Sequence, residues 1–292
     1  MAVYKRNYSA YTGSVTSVGS RIFVVARYAF AEAWSSKITI GLFTVCLVPC
    51  LVFMFGIYLA NNPLARSLIG AKGSQFIAID ASYFLRILQT QSWLALVLTS
   101  WVAPRLIGFD LADNALPILL SHPVSRFNYL LGKFLALAAS LSVVTWIPCL
   151  LLFIYQGYSS DLPWVAANLR IAAGLIAGAA IWIGFLSLLG LALSSWVKWR
   201  VVATGAIFAA VFVPAGVGAI VSAILRTRWG FLLNLPFMMS SLWPRMLGAP
   251  EFTIHTGRVL PTTAIVVMLA LACMVCASML NARIRAREVV RG

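Results

Sequence analysis

Residues 38–60 read ITIGLFTVCLVPCLVFMFGIYLA, a run without a single formal charge. At about 1.5 Å of rise per residue, a helix of this length crosses a hydrocarbon core about 30 Å thick. Working outward, comparable apolar runs recur at about 89–108, 131–155, 168–195, 201–224 and 261–281. The chain is 62% hydrophobic and 10% charged, whereas a soluble domain carries roughly a quarter charged residues. The expected fold is therefore an all-α integral membrane protein with six transmembrane helices. No repeat and no low-complexity linker divides it, so residues 1–292 read as a single transmembrane domain.

The net charge of +15 raises the question of nucleic acid. Binding of that kind needs a concentrated basic patch, and here the basic residues are scattered at the ends of apolar runs, so no nucleic-acid partner is expected. Six spans place both termini on one side, where fourteen Lys and Arg fall against eight on the other. The positive-inside rule makes the richer side cytoplasmic. Residues 1–19 are polar and lack an apolar core, so no cleavable signal is expected and the first span serves as the insertion signal.

Within the cytoplasmic N-terminus, 1–37, the stretch SRIFVVARYAFAEAWSS (20–36) has helical periodicity. Ile22, Val25, Ala26, Ala29, Phe30 and Ala33 share one face, while Arg21, Arg27 and Glu32 lie elsewhere on the wheel. Such a helix rests in the headgroup plane of the lipid. Residues 225–260 are apolar but interrupted by Pro236 and Pro244, giving pieces too short to cross. They read as outer re-entrant or interfacial helices before the last span, tolerated at membrane depth when packed on protein; an ordinary surface loop is the alternative.

Several chemistries are disfavoured. The two histidines and seven carboxylates all lie outside the span interiors, whereas ion-coupled carriers place ionisable groups at mid-membrane and metalloenzymes cluster such ligands. Cys46/Cys50 and Cys273/Cys276 have helical spacing, but no His or carboxylate accompanies either pair. They read as small hydrophobes, and no metal or cofactor is expected in this chain. No G-x-x-x-x-G-K-[ST] loop occurs, so ATP hydrolysis by that route is not available to it. Gly174 and Gly178 form a G-x-x-x-G, a weak packing signal. Pro214, with Gly205, Gly216 and Gly218, marks the fifth span as a hinge candidate or a static bend.

Between the second and third spans stands DLADNALPILLSHPVSRFNYLLGK (110–133). Asp113 or Asn114 can cap a short helix that carries Pro117 in its first turn. Leu116, Leu119 and Leu120 give that helix an apolar surface, Pro123 stops it, and Ser125 can cap the next helix. Asp110, Asp113, Arg126 and Lys133 read as water-facing brackets around it. The run L-P-I-L-L-S-H-P-V-S-R-F-N-Y-L-L-G-K resembles the corresponding segment of type-2 ABC exporter permeases. The matching positions are Asp113, Leu119, Leu120, Pro123, Ser125, Arg126, Leu131, Gly132 and Lys133; the Asp-Asn-Ala turn departs from the family's Glu-x-Gly-Thr-like pattern.

The resemblance implies a permease subunit that is not itself an enzyme. It would pair with a second permease, identical or related, and be driven by cytoplasmic ATPase subunits that carry ATP and Mg. The segment 109–130 would be the coupling helix, offering Asp113, Leu116, Leu119, Leu120, Pro123 and Arg126 to the ATPase. The loop SSWVKWR (194–200) would add Lys198 and Arg200, and Arg27 and Glu32 would belong to the flanking amphipathic helix. Export is the implied direction, across a bacterial or archaeal cytoplasmic membrane, with the short outer loops leaving a role for an extracytoplasmic accessory protein. A non-transporting membrane scaffold that recruits a cytoplasmic partner is the competing reading.

Overall fold

The computed structural model describes residues 17–64, 78–112, 125–160, 162–197, 199–250 and 260–283. Every regular element among them is helical. In chain order they are α1 (Val18–Trp34), α2 (Lys37–Asn61), α3 (Ala81–Ala112), α4 (Arg126–Val144), α5 (Trp146–Ser159) and α6 (Leu162–Ala167). Then follow α7 (Leu169–Trp196), α8 (Arg200–Ile224), a 3-10 turn (Trp229–Leu233), α9 (Leu235–Leu247) and α10 (Thr262–Arg283).

Five stretches are long and apolar enough to cross a membrane: Lys37–Asn61, Arg126–Ser159, Leu169–Trp196, Arg200–Ile224 and Thr262–Arg283. The expected second span, 89–108, lies within α3, which has 32 residues but is not among the five. Gln89, Gln91, Ser92, Thr99, Ser100 and Arg105 dilute its apolar character. The reason lies in its position, because α3 packs along α7 and also against α2, α4, α5, α8 and α9. A helix surrounded by protein can carry polar groups provided each finds a partner. Thr99 Oγ1 donates to Ala95 O at 2.7 Å and Ser92 Oγ to Leu88 O at 2.6 Å. Its carbonyls also receive neighbours: Trp182 Nε1 donates to Ser92 O at 3.0 Å and Thr204 Oγ1 to Ser100 O at 2.8 Å.

The other partner of this central pair, α7, has 67% of its most apolar window buried, against 22% for α2, α8 and α10. Glycines bring the helices together. A Cβ at Gly190 would stand 2.8 Å from Thr99 Cγ2 and 2.9 Å from the Ala103 Cβ, so α7 and α3 meet almost backbone to backbone. The Gly174/Gly178 pair works toward α9: a Cβ at Gly174 would stand 2.9 Å from Met246 O, and one at Gly178 2.8 Å from Trp243 Cδ1. The weak G-x-x-x-G signal thus marks the seat of α9 on α7.

One expected span is divided. The run 131–155 reads as a single helix, yet α4 ends at Val144 and α5 begins at Trp146, with Thr145 at φ −97° and ψ −94° between them. Pro148 has no N–H for the carbonyl of Val144, which breaks the ladder at this point. The freed carbonyl is met from α3. With its amide turned so that nitrogen faces carbonyls, the fully buried Gln91 donates to Val144 O at 3.1 Å and to Cys46 O at 3.2 Å. A glutamine unlikely to be chosen for lipid contact is therefore the tie between α2, α3 and the break.

Residues 225–260 hold the two short pieces read from the sequence. Asn234 Oδ1 accepts from Phe237 N at 3.0 Å and caps α9, Pro236 stands in its first turn, and Gly248 ends it at φ 75°. Arg245 donates to Thr262 Oγ1 at 2.6 Å and Leu260 O at 2.8 Å, and Arg170 donates to Arg245 O at 2.8 Å. These bonds fasten α9 to α10 and α7.

Candidate functional site

The segment that joins α3 to α4 leaves Asp113, Leu116, Leu119, Leu120 and Pro123 outside the described residues, as is Lys198 in the α7–α8 loop. What the structure does place is the pair of helix ends that hold the segment. Ser125 is the N-cap of α4, its Oγ accepting from Asn128 N at 3.2 Å, as its place after Pro123 suggests. Arg126 and Phe127 beside it are exposed.

One turn further in, three helices meet on charge. Lys133 of α4 lies 2.8 Å from Asp110 Oδ2 of α3 and 3.8 Å from Glu32 Oε2 of α1. Tyr129 donates its hydroxyl to the same Asp110 oxygen at 2.5 Å. Lys133 is only 5% exposed and Tyr129 1%, while the Asp110 side chain keeps 18% and the Glu32 side chain 48%. Asp110 and Lys133 are therefore not water-facing brackets: they form a mostly buried ion pair, with Glu32 closing it at the solvent edge.

Gly132 explains why this arrangement is possible. A Cβ there would stand 2.6 Å from Val25 Cγ1 and 2.8 Å from Val25 Cβ. Without a side chain, α4 lets α1 lie flat upon it, and the next residue, Lys133, is covered as a consequence. The Gly-Lys step of the L-L-G-K motif thus has a physical content: glycine admits α1, and lysine binds it.

The amphipathic helix is correspondingly docked on protein. Ala29 and Ala33 are 2% and 1% exposed and Ile22, Val25, Ala26 and Phe30 are half-buried, with α1 packed on α4, whereas Phe23 and Tyr28 on the other side stay exposed. Trp34, expected among headgroups, donates to Ser140 Oγ at 3.4 Å and packs its ring 4.3 Å from that of Phe43. Arg27 remains on the exposed side of α1.

The α7–α8 loop lies at the end of the bundle that carries α3's last turns. Trp196 donates to Met279 O at 3.1 Å, and Arg283 donates to Ser195 O at 3.2 Å, so α10 braces the loop. Arg200, the first residue of α8, turns its guanidinium over the Trp101 ring at 4.0 Å rather than into the open. Pro214 sits inside α8, which continues through it from Arg200 to Ile224.

Toward the α9 end, a cavity of about 330 Å³ lies between α3, α7 and α9. Trp93, Trp182, Phe237, Met239 and Trp243 supply most of its wall, with Gln89 and Asn234 as polar members. Both buried indoles spend their N–H groups elsewhere, Trp182 on Ser92 O and Trp243 on Gly178 O, so they present ring faces only. Sequence reading assigned no role to Tyr129 or to Trp243. A lone glutamate on an apolar helix and a glycine directly before a lysine were the available signals for the first.

These features define a polytopic helical membrane protein in which a buried charge cluster joins α1, α3 and α4 at one end of the bundle. Residues 94–251 match the family model described as ABC-2 family transporter protein, just over half of the chain. The chain belongs to that family, whose members are membrane-spanning transport subunits without an ATPase of their own. Comparison with curated proteins finds none that matches.

Proposed function

We propose that this chain is the permease subunit of an ATP-driven exporter, with α3 as a sixth span and both termini in the cytoplasm. Cytoplasmic ABC ATPase subunits carrying ATP and Mg would supply the energy, and a second permease, identical or related, would complete the path. The segment 109–130 carries the coupling helix of this reading, and the α7–α8 loop with Lys198 is its second contact. The 3-10 turn and α9 are re-entrant elements on the outer side, where an accessory protein would act.

The observation that carries the reading is the Lys133–Asp110–Glu32 cluster. It fixes both ends of the inter-span segment to each other and to α1, so a load on residues 113–124 meets a stiff mount instead of two independent helix ends. A mount of that kind is what a lever moved by another protein needs. Arg200 fits as a residue that anchors the second loop, since it faces Trp101.

The test is co-purification of the full chain with the ATPase encoded beside its gene. Replacing Leu119 and Leu120 by Asp is expected to abolish association and to return ATP turnover to the level of the isolated ATPase. Association and turnover equal to wild type would refute the coupling role and favour a scaffold without transport.

A further inference from the structure

A second basic centre lies at the same end of the bundle and is built differently from the Lys133 cluster. Arg105 of α3 donates to Thr39 Oγ1 at 3.3 Å, and Trp101 Nε1 donates to the same oxygen at 3.3 Å. Arg200 of α8 stacks on the other side of this group, 4.0 Å from the Trp101 ring centre. Trp101 thus links two guanidiniums, Arg200 resting over its ring and Arg105 sharing its hydrogen-bond acceptor, Thr39 of α2.

Among the described residues no carboxylate pairs with either guanidinium. Among the described residues the ion pairs are those of Lys133, and Asp110, five positions beyond Arg105 on the same helix, is already engaged by Lys133 and Tyr129. One terminal nitrogen of Arg200, Nη2, is buried and has no hydrogen-bond partner. An unpaired donor on a guanidinium costs free energy unless something accepts from it. Two like charges held together add to that cost, and an anion between them removes both penalties.

The position says which kind of anion. Arg105 lies seven residues before the end of α3, about 10 Å back along its axis from the helix tip. Thr39 and Arg200 stand at the very start of two apolar helices, α2 and α8. The centre therefore sits at the depth where apolar spans give way to polar surface. Ile38, Ile40 and Val201, next to it in sequence, are 62%, 47% and 83% exposed. A basic group beside bare aliphatic side chains suits a molecule with a phosphate at one end and hydrocarbon at the other. Guanidiniums bind phosphate oxygens through paired N–H groups, and indole rings favour the same interfacial level.

We propose that Arg105 and Arg200, with Trp101 between them, form a binding site for the phosphate of an anionic phospholipid headgroup, whose acyl chains run along α2 and α8. The bound lipid would neutralise the arginine pair and hold the start of α8 against α3.

Native mass spectrometry of the purified full chain tests this, with phosphatidylglycerol or phosphatidylcholine of matched chains added back to the delipidated protein. Wild type is expected to retain phosphatidylglycerol in preference. Arg105→Gln and Arg200→Gln should each weaken retention roughly fivefold, the usual contribution of one basic residue near an anionic surface. The pair Arg105→Lys with Arg200→Lys keeps the charge, and its elution profile and thermal midpoint separate lipid loss from misfolding; it should retain phosphatidylglycerol better than the Gln pair. Equal retention of the two lipids by wild type would overturn the site. So would a well-folded Gln pair that still retains phosphatidylglycerol as wild type does. Thermal protection by soluble glycerol phosphate as strong as that by phosphatidylglycerol would reassign the site to a free phosphate. Loss of ATPase association in the Gln pair, with lipid retention unchanged, would reassign it to an acidic partner surface.

Discussion

Removing the charge of Asp110 should damage this protein more than removing that of Glu32, although both carboxylates face the same lysine. The Asp110→Asn change leaves Lys133, 5% exposed, with only Glu32 at 3.8 Å and the Tyr129 ring 5.7 Å from its nitrogen. Breaking a buried pair by removing one partner typically costs about 3–5 kcal/mol, because the other charge stays desolvated. Asp110 keeps 18% of its side-chain surface, so the lower end, about 3 kcal/mol, is the expected value here. Glu32 is 48% exposed and a full ångström more distant than Asp110, and solvent screening limits Glu32→Gln to about 0.5 kcal/mol. The double change Asp110→Asn with Lys133→Met removes both members of the pair and should recover about 2 kcal/mol of the loss, the non-additivity expected of contacting groups. The measurement is the midpoint of denaturant-induced unfolding in detergent micelles, followed by near-ultraviolet circular dichroism and repeated on these three variants and on Lys133→Met alone. Equal midpoint shifts for Asp110→Asn and Glu32→Gln, or single-variant losses that simply add in the double, would show that Lys133 is solvated and the clamp does not exist.

Other substitutions probe the remaining contacts. Gly132→Ala places a Cβ against the stiff Val25 side chain and should destabilise α1 docking by about 1–3 kcal/mol, read as faster proteolysis within α1; Val25→Ala should restore part of the protection. Gly174→Ala meets the backbone of Met246 and Leu247 and should loosen α9, raising the labelling rate of a cysteine placed at Ser240, whereas Gly184→Ala meets nothing within 4 Å and should be neutral or stabilising by up to about 1 kcal/mol. Gln91→Leu leaves the Val144 carbonyl at the α4–α5 break without its donor and should lower stability by about 1–3 kcal/mol, seen as a reduced thermal midpoint in fluorescence-detected size exclusion.

Periodicity and length located most helices because each membrane span must satisfy its backbone internally and cover itself with apolar side chains. That rule says least about a helix whose neighbours are protein. α3 shows it: Gln91, Ser92 and Ser100 lower its hydropathy, yet they are bonded within α3 or to α2, α4, α7 and α8. The break at Thr145 was equally hidden, since Pro148 in an apolar run signals either a kink or a break, and Gln91, whose carbonyl contacts decide it, lies far away in sequence. At the candidate site the sequence supplied Glu32, Asp110 and Lys133 as separate charges. Their pairing depends on α1 lying on α4, which Gly132 permits and no local pattern states. Asp113 to Pro123 lie outside the described residues, and Arg200 was legible only as a loop charge, because its stacking on Trp101 joins positions nearly a hundred residues apart.

The geometry also bears on how far a displacement at the clamp end can travel. α3 runs unbroken for 32 residues, about 48 Å of helix, of which about 40 Å separates Asp110 in the clamp from Tyr83 near its other end. At that far end Tyr83 donates to Phe53 O at 2.6 Å, which ties α3 to α2. Midway, Gly190 lets α7 touch α3 closely enough that neither can slide without displacing Thr99 or Ala103. The wall of the cavity includes Gln89, Ser92 and Trp93 of α3, facing Trp182 of α7 and Trp243 of α9. An axial shift of α3 therefore cannot stay local: it must carry α7 along or break the Gly190 contact, and in both cases it moves one wall of the cavity. Pro104 lies between the clamp and the cavity and leaves the Ser100 carbonyl without its helix N–H, so α3 bends most readily over residues 100–104, beside the Gly190 contact. A Pro104→Ala variant, which stiffens that stretch, should leave the clamp intact and alter the spacing between Trp93 and α9. Spin labels at Trp93 and Ser240 would measure it, and an unchanged distance distribution would show that the proline bend does not set the cavity wall.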